Sequence, residues 1–240
     1  MNTDNIVDDY ERDGVVRVPG LLSSQQVKQT QAELARYMRD ILPTLPEAAR
    51  TFEADGVTVR NLWRLEEYDP YFAAMAKRPD ILELVSKLVH GEPKSMGVET
   101  FNKAALTGSG VPPHQDNAYF CQSPPDSLTV WIALDAATIE NGAIYYNKGS
   151  QHQLLPHAPS GVAGNSFGVK NPPAVDPADE FVGTLEPGDA LIHHCQTIHR
   201  SAPNTTAYSR CGLLMVFRGT HTQTDSALKA EYEKARDLVS

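Results

Sequence analysis

No run of lysine or arginine occurs anywhere in this 240-residue chain, whose formal net charge is -9. That balance offers no electrostatic foothold to nucleic acid or to an anionic membrane surface, and neither is expected as a partner. No stretch approaches the roughly 18 consecutive apolar residues that a membrane-spanning helix needs. Cysteine is scarce: Cys121, Cys195 and Cys211 are odd in number and lack C-x-x-C spacing, so reduced thiols in a cytoplasm are the expected state. The opening MNTDNIVDDYERDG is acidic and polar, unlike a signal peptide. Internal repeats, low-complexity tracts and a recognisable domain linker are missing as well. What remains has the composition of an ordinary globular protein, 41% apolar and 21% charged. The expectation is one cytoplasmic domain over residues 1–240, a monomer or homodimer.

Within it the patterning changes part-way along. A short strand, GVVRVPG, ends at Pro19-Gly20. Ser23 and Gln26 form a capping-box pattern, after which Val27, Leu34, Met38, Ile41 and Leu42 recur at near-helical spacing until Pro43 stops the helix. A polar stretch to about Tyr68 carries Arg60, Asn61 and Arg64. Past Pro79-Asp80, the residues Ile81, Leu84, Val85 and Leu88 fall at i, i+3, i+4 and i+7, one face of a second helix. From Ser95 short strands take over. LTVWIALD alternates Leu128, Val130, Ile132 and Leu134 with Thr129, Trp131, Ala133 and Asp135. Asn141-Gly142 and Glu186-Pro187-Gly188-Asp189 are turn signals ahead of two more strands. The stretch from Gly161 to Glu180 has little periodicity and reads as a long loop suited to a lid. The layout is mainly β with flanking helices: a helical part over about 1–94, a sandwich-like β core over about 95–220 and a last helix at about 224–238.

Chemistry concentrates in VPPHQDNAYF, residues 111–120. In an extended segment i and i+2 share a face, so His114 and Asp116 would converge on one point. An imidazole and a carboxylate are two of the three ligands of the facial triad that holds non-haem Fe(II). Alone, such a triplet also arises by chance. The third ligand is sought downstream, in IHRSAPNTTAYSRCGLLMVF, which reads as a hairpin turning at Pro203 to Thr206. A symmetric hairpin sets His199 opposite Arg210, with Ser201 on the same face as His199. A guanidinium there would clamp a carboxylate in bidentate fashion. His193 and His194 are adjacent and face opposite sides of a strand, so they cannot chelate together. Either could be the distal ligand on residue type alone, but only His199 pairs across the turn with Arg210, and one packed and one solvated histidine is the preferred reading. His90, His152, His157 and His221 read as surface or loop residues.

HQD at His114–Asp116, the downstream PGDALIHHCQTIHRSAPN, Arg210 eleven residues after His199, and ENGAIYYNKGSQH together resemble the phytanoyl-CoA dioxygenase family. The resemblance runs from roughly Ser95 to Gly219, with a family-like opening at Tyr10 to Gln25. It implies a double-stranded β-helix (jelly-roll, cupin-like) core, Fe(II) on His114, Asp116 and His199, and 2-oxoglutarate and O2 as cosubstrates. Arg210 is implied on the distal carboxylate of 2-oxoglutarate. Gln115, Asn102 and Ser201 are implied as further contacts and Trp131 as an aromatic wall, against the plainer readings of Asn102 as a strand end and Trp131 as core. The implied reaction oxidises a C–H bond, most simply to an alcohol, with cyclisation or desaturation as other outcomes. Two rivals come from other classes: a metal-binding, cupin-like sensor without turnover, and a zinc hydrolase, for which no persuasive general base is found. The substrate is expected to be a small polar metabolite or natural-product intermediate, because basic clusters suited to CoA phosphates are lacking. Arg60, Asn61, Arg64, Asn117 and Tyr119 are its expected contacts. The plainer reading pairs Arg60 and Arg64 with Glu66, Glu67 or Asp69 at the surface.

Overall fold

The strand Ser127–Ala133 shows how the chain is layered. Its alternating pattern predicts one buried and one more exposed face, yet all seven residues are buried. Leu128, Val130 and Ile132 join a core with the helices, whereas Trp131 and Ala133 belong to a second apolar cluster with Ile144 and Tyr146. The strand is therefore covered on both sides, by helices outside and by another sheet inside.

The computed structural model describes residues 3–162 and 165–236. Its large sheet has seven strands, in the order Val15–Val18, Ala190–His194, Ser127–Ala133, Arg210–Gly219, Pro93–Lys103, Val59–Leu62 and Arg50–Phe52. The smaller sheet orders Glu180–Gly183, Ile144–Asn147, His199–Ser201 and Val111–His114. Every pairing is antiparallel. The inner faces enclose Val15, Trp131, Ile144, Tyr146, Leu185 and Leu191, the two-sheet jelly-roll layout that was expected. Three strands of the large sheet come from the first 94 residues, so that part is not helical throughout.

The helices cover the outer face of the large sheet. Ile81, Leu84, Val85 and Leu88 on Pro79–Leu88 are all buried, as their spacing predicts. A helix of that length is marginal alone; each buried aliphatic side chain adds roughly 1.5–3 kcal/mol by leaving water. Ser23 caps Ser24–Arg36 through the expected box: Gln26 N–H donates to Ser23 Oγ at 3.3 Å, and Ser23 N–H to Gln26 Oε1 at 2.8 Å. Beyond Arg36 the chain continues as a π-helical turn, Tyr37–Ile41. The wider turn breaks the 3.6-residue period. Tyr37 is buried completely, and Met38, expected in the core, is 40% exposed.

Two further expectations are corrected. The segment after Gly161 is not a plain loop: His157–Val162 pairs with Asn165–Val169, and Glu180–Gly183 joins the smaller sheet. Residues 163–164 lie outside the described residues, as do the last two positions of the expected C-terminal helix, which is observed as Ser226–Arg236. Nor is there a hairpin between His199 and Arg210. His199 pairs with His114 and Tyr146 in the smaller sheet, and Arg210 with Lys103 in the larger. The intervening chain crosses between sheets, anchored by Asn204, whose Nδ2 donates to Lys103 O at 2.9 Å and to Tyr208 O at 2.7 Å. Those turn residues serve a crossing as well as they would a hairpin.

Candidate metal centre and cosubstrate cleft

His114 ends one strand of the smaller sheet and His199 begins its neighbour, directly opposite. Cross-strand partners lie roughly 5 Å apart at Cβ, and the two ring centroids are 4.0 Å apart. Each Nδ1 meets a main-chain carbonyl, Pro112 O for His114 and Thr197 O for His199, both at 2.9 Å. A carbonyl only accepts, so Nδ1 carries the proton and the Nε2 lone pair is left for a cation. Burial pushes both imidazoles toward the neutral form, His199 strongly.

Asp116 arrives by a route the extended reading did not foresee. It has helical backbone, φ -59° and ψ -31°, at the start of the turn Asn117–Phe120. That turn is clamped in place: Asn117 N–H donates to Cys195 O at 2.8 Å, and the Asn117 amide bridges Gln122 N and O at 2.8 and 3.1 Å. Asp116 Oδ1 then lies 3.6 Å from Nε2 of both His114 and His199, and the ligand atoms of all three lie within 4.8 Å of one another. Burial alone would raise the carboxyl pKa. The fields of His199, His193 and His114, with a hydrogen bond from His193, outweigh it and hold Asp116 well below the usual carboxylate range. Two neutral imidazoles and one carboxylate, aimed at one point, suit a divalent iron.

The second carboxylate oxygen is held by residues that sequence reasoning missed. Asp116 Oδ2 accepts from Thr129 Oγ1 and from His193 Nε2, each at 3.1 Å. With its ring proton used there, His193 accepts at Nδ1 from the Tyr146 hydroxyl, also at 3.1 Å. Ligating carboxylates are commonly oriented by such outer partners. His193 is packed, as expected of one of the pair, but against the carboxylate rather than in plain core. The signal was its parity: it faces inward with Leu191, opposite Thr129.

Deeper in the cleft, Arg210 is 1% exposed and has no ion pair among the described residues. Its Nη2 donates to Gly142 O at 2.7 Å, its guanidinium lies 5.0 Å from the Trp131 ring, and its Nε has no partner among the described residues. Gly142 reaches it with φ +93°, a conformation the Asn141-Gly142 turn permits. Burial lowers the Arg210 pKa to about 10. Trp131 lies flat against the strand at Gly212, where a Cβ would come within 2.2 Å of two indole carbons. Ser201, buried, shares the inward face with His199.

Other expected contacts are placed elsewhere. Asn102 sits between Phe101 and Lys103, so its side chain leaves the sheet on the face away from Lys103 and Arg210, and its amide donates to Val59 O at 3.0 Å. Gln115 spends its amide on the main chain at Gln153, Leu155 and Gln196. Asn117 is the turn clamp already described. Arg64 lies on the surface bonded to Glu67, whereas Arg60 is fully buried and bonded to Glu53 and Ser109 rather than to surface acids. His157, expected at the surface or in a loop, begins the strand His157–Val162 and accepts the Gln115 N–H at 3.1 Å. Tyr119 sets its ring 6.0 Å from His114 and donates its hydroxyl proton to Phe167 O. Asn61 is buried opposite Phe101, its Oδ1 without a partner among the described residues.

Comparison with known proteins agrees with this geometry. The family model described as phytanoyl-CoA dioxygenase matches residues 10–212. The chain belongs to that family. It is a 2-oxoglutarate-dependent non-haem iron dioxygenase, with His114, Asp116 and His199 as the facial triad. It is 26% identical to an L-proline trans-4-hydroxylase of Streptomyces griseoviridis, covering 89% of this chain and 85% of that one. It is 24% identical to a methylphosphonate hydroxylase of Gimesia maris, covering 96% and 85%. Several other curated relatives are matched over about half of their own length. Among solved structures, the epimerase SnoN in complex with Fe3+, alpha ketoglutarate and nogalamycin RO is similar in fold. Its TM-score is 0.74 at 21% identity, covering 96% of this chain and 88% of that one. No helix among the described residues is long and apolar enough to cross a membrane.

Proposed function

We propose that this dioxygenase hydroxylates a C–H bond of a small polar metabolite, with Arg210 anchoring the distal carboxylate of 2-oxoglutarate. The observation that carries the reading is a guanidinium 1% exposed, without a counter-ion among the described residues, set over Trp131 in the inner cluster whose Tyr146 stacks on His199 of the triad. A buried charge without a partner is costly, and a dicarboxylate cosubstrate would relieve it. Ser201 would add a hydroxyl to that end and Trp131 an apolar wall. Bound iron and 2-oxoglutarate supply the oxidation: O2 is consumed, 2-oxoglutarate loses CO2 to become succinate, and a substrate C–H bond is oxidised. The chain's own part is orientation. His114 and His199 offer fixed Nε2 lone pairs, and His193 and Thr129 aim Asp116.

Two relatives whose names carry small polar substrates, L-proline and methylphosphonate, support a small guest over a long-chain acyl-CoA. Asn61, with its unpartnered buried oxygen, and Tyr119, beside His114, are the substrate contacts we retain from the sequence. The test is a substrate screen scored by iron-dependent succinate release, with products read by mass. A gain of one oxygen supports hydroxylation, and loss of two hydrogens marks cyclisation or desaturation. Coupling to a long-chain acyl-CoA, with none to small polar compounds, refutes the substrate reading.

A further inference from the structure

One inward-facing group is left without a task. Glu99 lies in register with Leu214, and Leu214 with Trp131, so the three form one row across adjacent strands of the large sheet. Trp131 and Leu214 pack on the inner cluster, whereas Val98, beside Glu99 in the chain, packs with the helices outside. Parity therefore turns Glu99 into the cleft. Its carboxylate has no hydrogen bond and no ion pair among the described residues. Nor is it relieved by its neighbours. Its Oε1 and that of Glu66 would lie 3.5 and 3.9 Å from a Cβ placed on Gly97. Burial, with the nearby charges of Asp116 and Glu66, raises its pKa to about 8.

The other end of the same strand has the opposite character. Lys103, four residues on and roughly 13 Å away at strand rise, is paired with Arg210 and bonded to Ser109 O and Ala202 O at 2.7 Å each. The cleft thus carries the Arg210 cation where a dicarboxylate cosubstrate would end, and two carboxyl groups, Glu99 and Asp116, toward the triad. Glu99 ionises against the charges of Asp116 and Glu66 and against burial; a second anion there would add to that opposition, whereas a cation would offset it and find an acceptor with no competing partner among the described residues. Building on the oxygenase reading above, we infer that Glu99 is a substrate-binding residue and that the substrate presents it with a cationic nitrogen, as an amine or amino acid does. Charge pairing at that point would orient the guest and select against neutral analogues.

The test uses matched probes on the iron- and 2-oxoglutarate-loaded enzyme: a library of primary and secondary aliphatic amines and amino acids, each paired with its N-acetyl derivative. The readout is succinate release above the substrate-free rate. Amines are expected to stimulate it and their N-acetyl partners not. Glu99→Gln should lower the ratio of kcat/KM for amine over N-acetyl probe at least tenfold, and Glu99→Asp should keep part of it. The inference is overturned if N-acetyl partners stimulate equally, if no amine stimulates, or if Glu99→Gln leaves the ratio unchanged. Failure of the oxygenase reading itself is separable, because substrate-free, iron-dependent turnover of 2-oxoglutarate would then be missing from the unmodified enzyme.

Discussion

Replacing His193 by Phe removes the side chain that joins Asp116 Oδ2 to Tyr146, two contacts of 3.1 Å, while keeping a ring of similar size. Asp116 retains Thr129 at 3.1 Å, so the carboxylate is loosened rather than released. Loss of an outer-shell partner typically weakens metal binding about 10- to 100-fold, which at 1.4 kcal/mol per decade is about 1.4–2.8 kcal/mol. A second effect is separable. Tyr146 is completely buried, and its stranded hydroxyl should lower stability by about 1–3 kcal/mol. Anaerobic Fe(II) titration reads the first quantity and denaturant unfolding of the metal-free protein the second. Adding Tyr146→Phe to His193→Phe should recover stability but leave iron affinity low. Thr129→Val combined with His193→Phe should be non-additive, since both partners hold one oxygen. If His193→Phe bound iron as tightly as the unmodified protein, the orienting role of His193 would be refuted.

Arg210→Met should raise the 2-oxoglutarate requirement by orders of magnitude, in line with about 3–5 kcal/mol for breaking a buried charge pair, while Fe(II) affinity in the absence of 2-oxoglutarate stays within a few-fold; an unchanged KM for 2-oxoglutarate refutes the anchor. Gly212→Ala sets a methyl group 2.2 Å from two indole carbons of Trp131. Overpacking of that kind costs about 1–3 kcal/mol, or roughly 2–12 °C in Tm for a chain of this size; a Tm within 1 °C of the original, to order of magnitude on that scale, counts against the packing. Lys103 has its pKa lowered by burial, and by Arg210 and Arg60, from 10.5 to about 6. Between those values the unfolded chain binds a proton that the folded chain does not, so stability should rise with pH over that window, by up to about 1.4 kcal/mol per pH unit. Lys103→Met should flatten the slope of unfolding free energy between pH 6.5 and 9, taken as roughly the accessible part of that window; an equal slope in both proteins contradicts it.

The triad is legible in the sequence, but the pairing that points to it there differs from the pairing in the fold. A hairpin would pair His199 with Arg210, but its strand partners are His114 and Tyr146. Pro203 to Thr206 have turn chemistry whichever sheet the chain enters next, and only long-range pairing decides that. Strand parity sets Asp116 beside His114, whereas the chain leaves the strand at His114 and turns as a helix, closed by Asn117 onto Gln122. Asn102 shows the converse failure: once Lys103 faces Arg210, a neighbour one position away must face outward. Helix content and capping were legible because they rest on local spacing, as at Ser23 and Ile81. Tyr37 and Met38 escaped because a π-helical turn shifts the buried position without any composition signal. His193 and Glu99 are ordinary residues until the inner face of each strand is known.

The central claim is that His114, Asp116 and His199 hold Fe(II) for 2-oxoglutarate chemistry. Its most direct test is succinate formation from 2-oxoglutarate under air, with iron content measured on the same samples, for the unmodified protein, Asp116→Ala and His194→Ala. The account predicts iron-dependent succinate from the unmodified protein and from His194→Ala, and loss of both iron and succinate in Asp116→Ala. Full iron occupancy and turnover in Asp116→Ala, or their loss in His194→Ala alone, would contradict it.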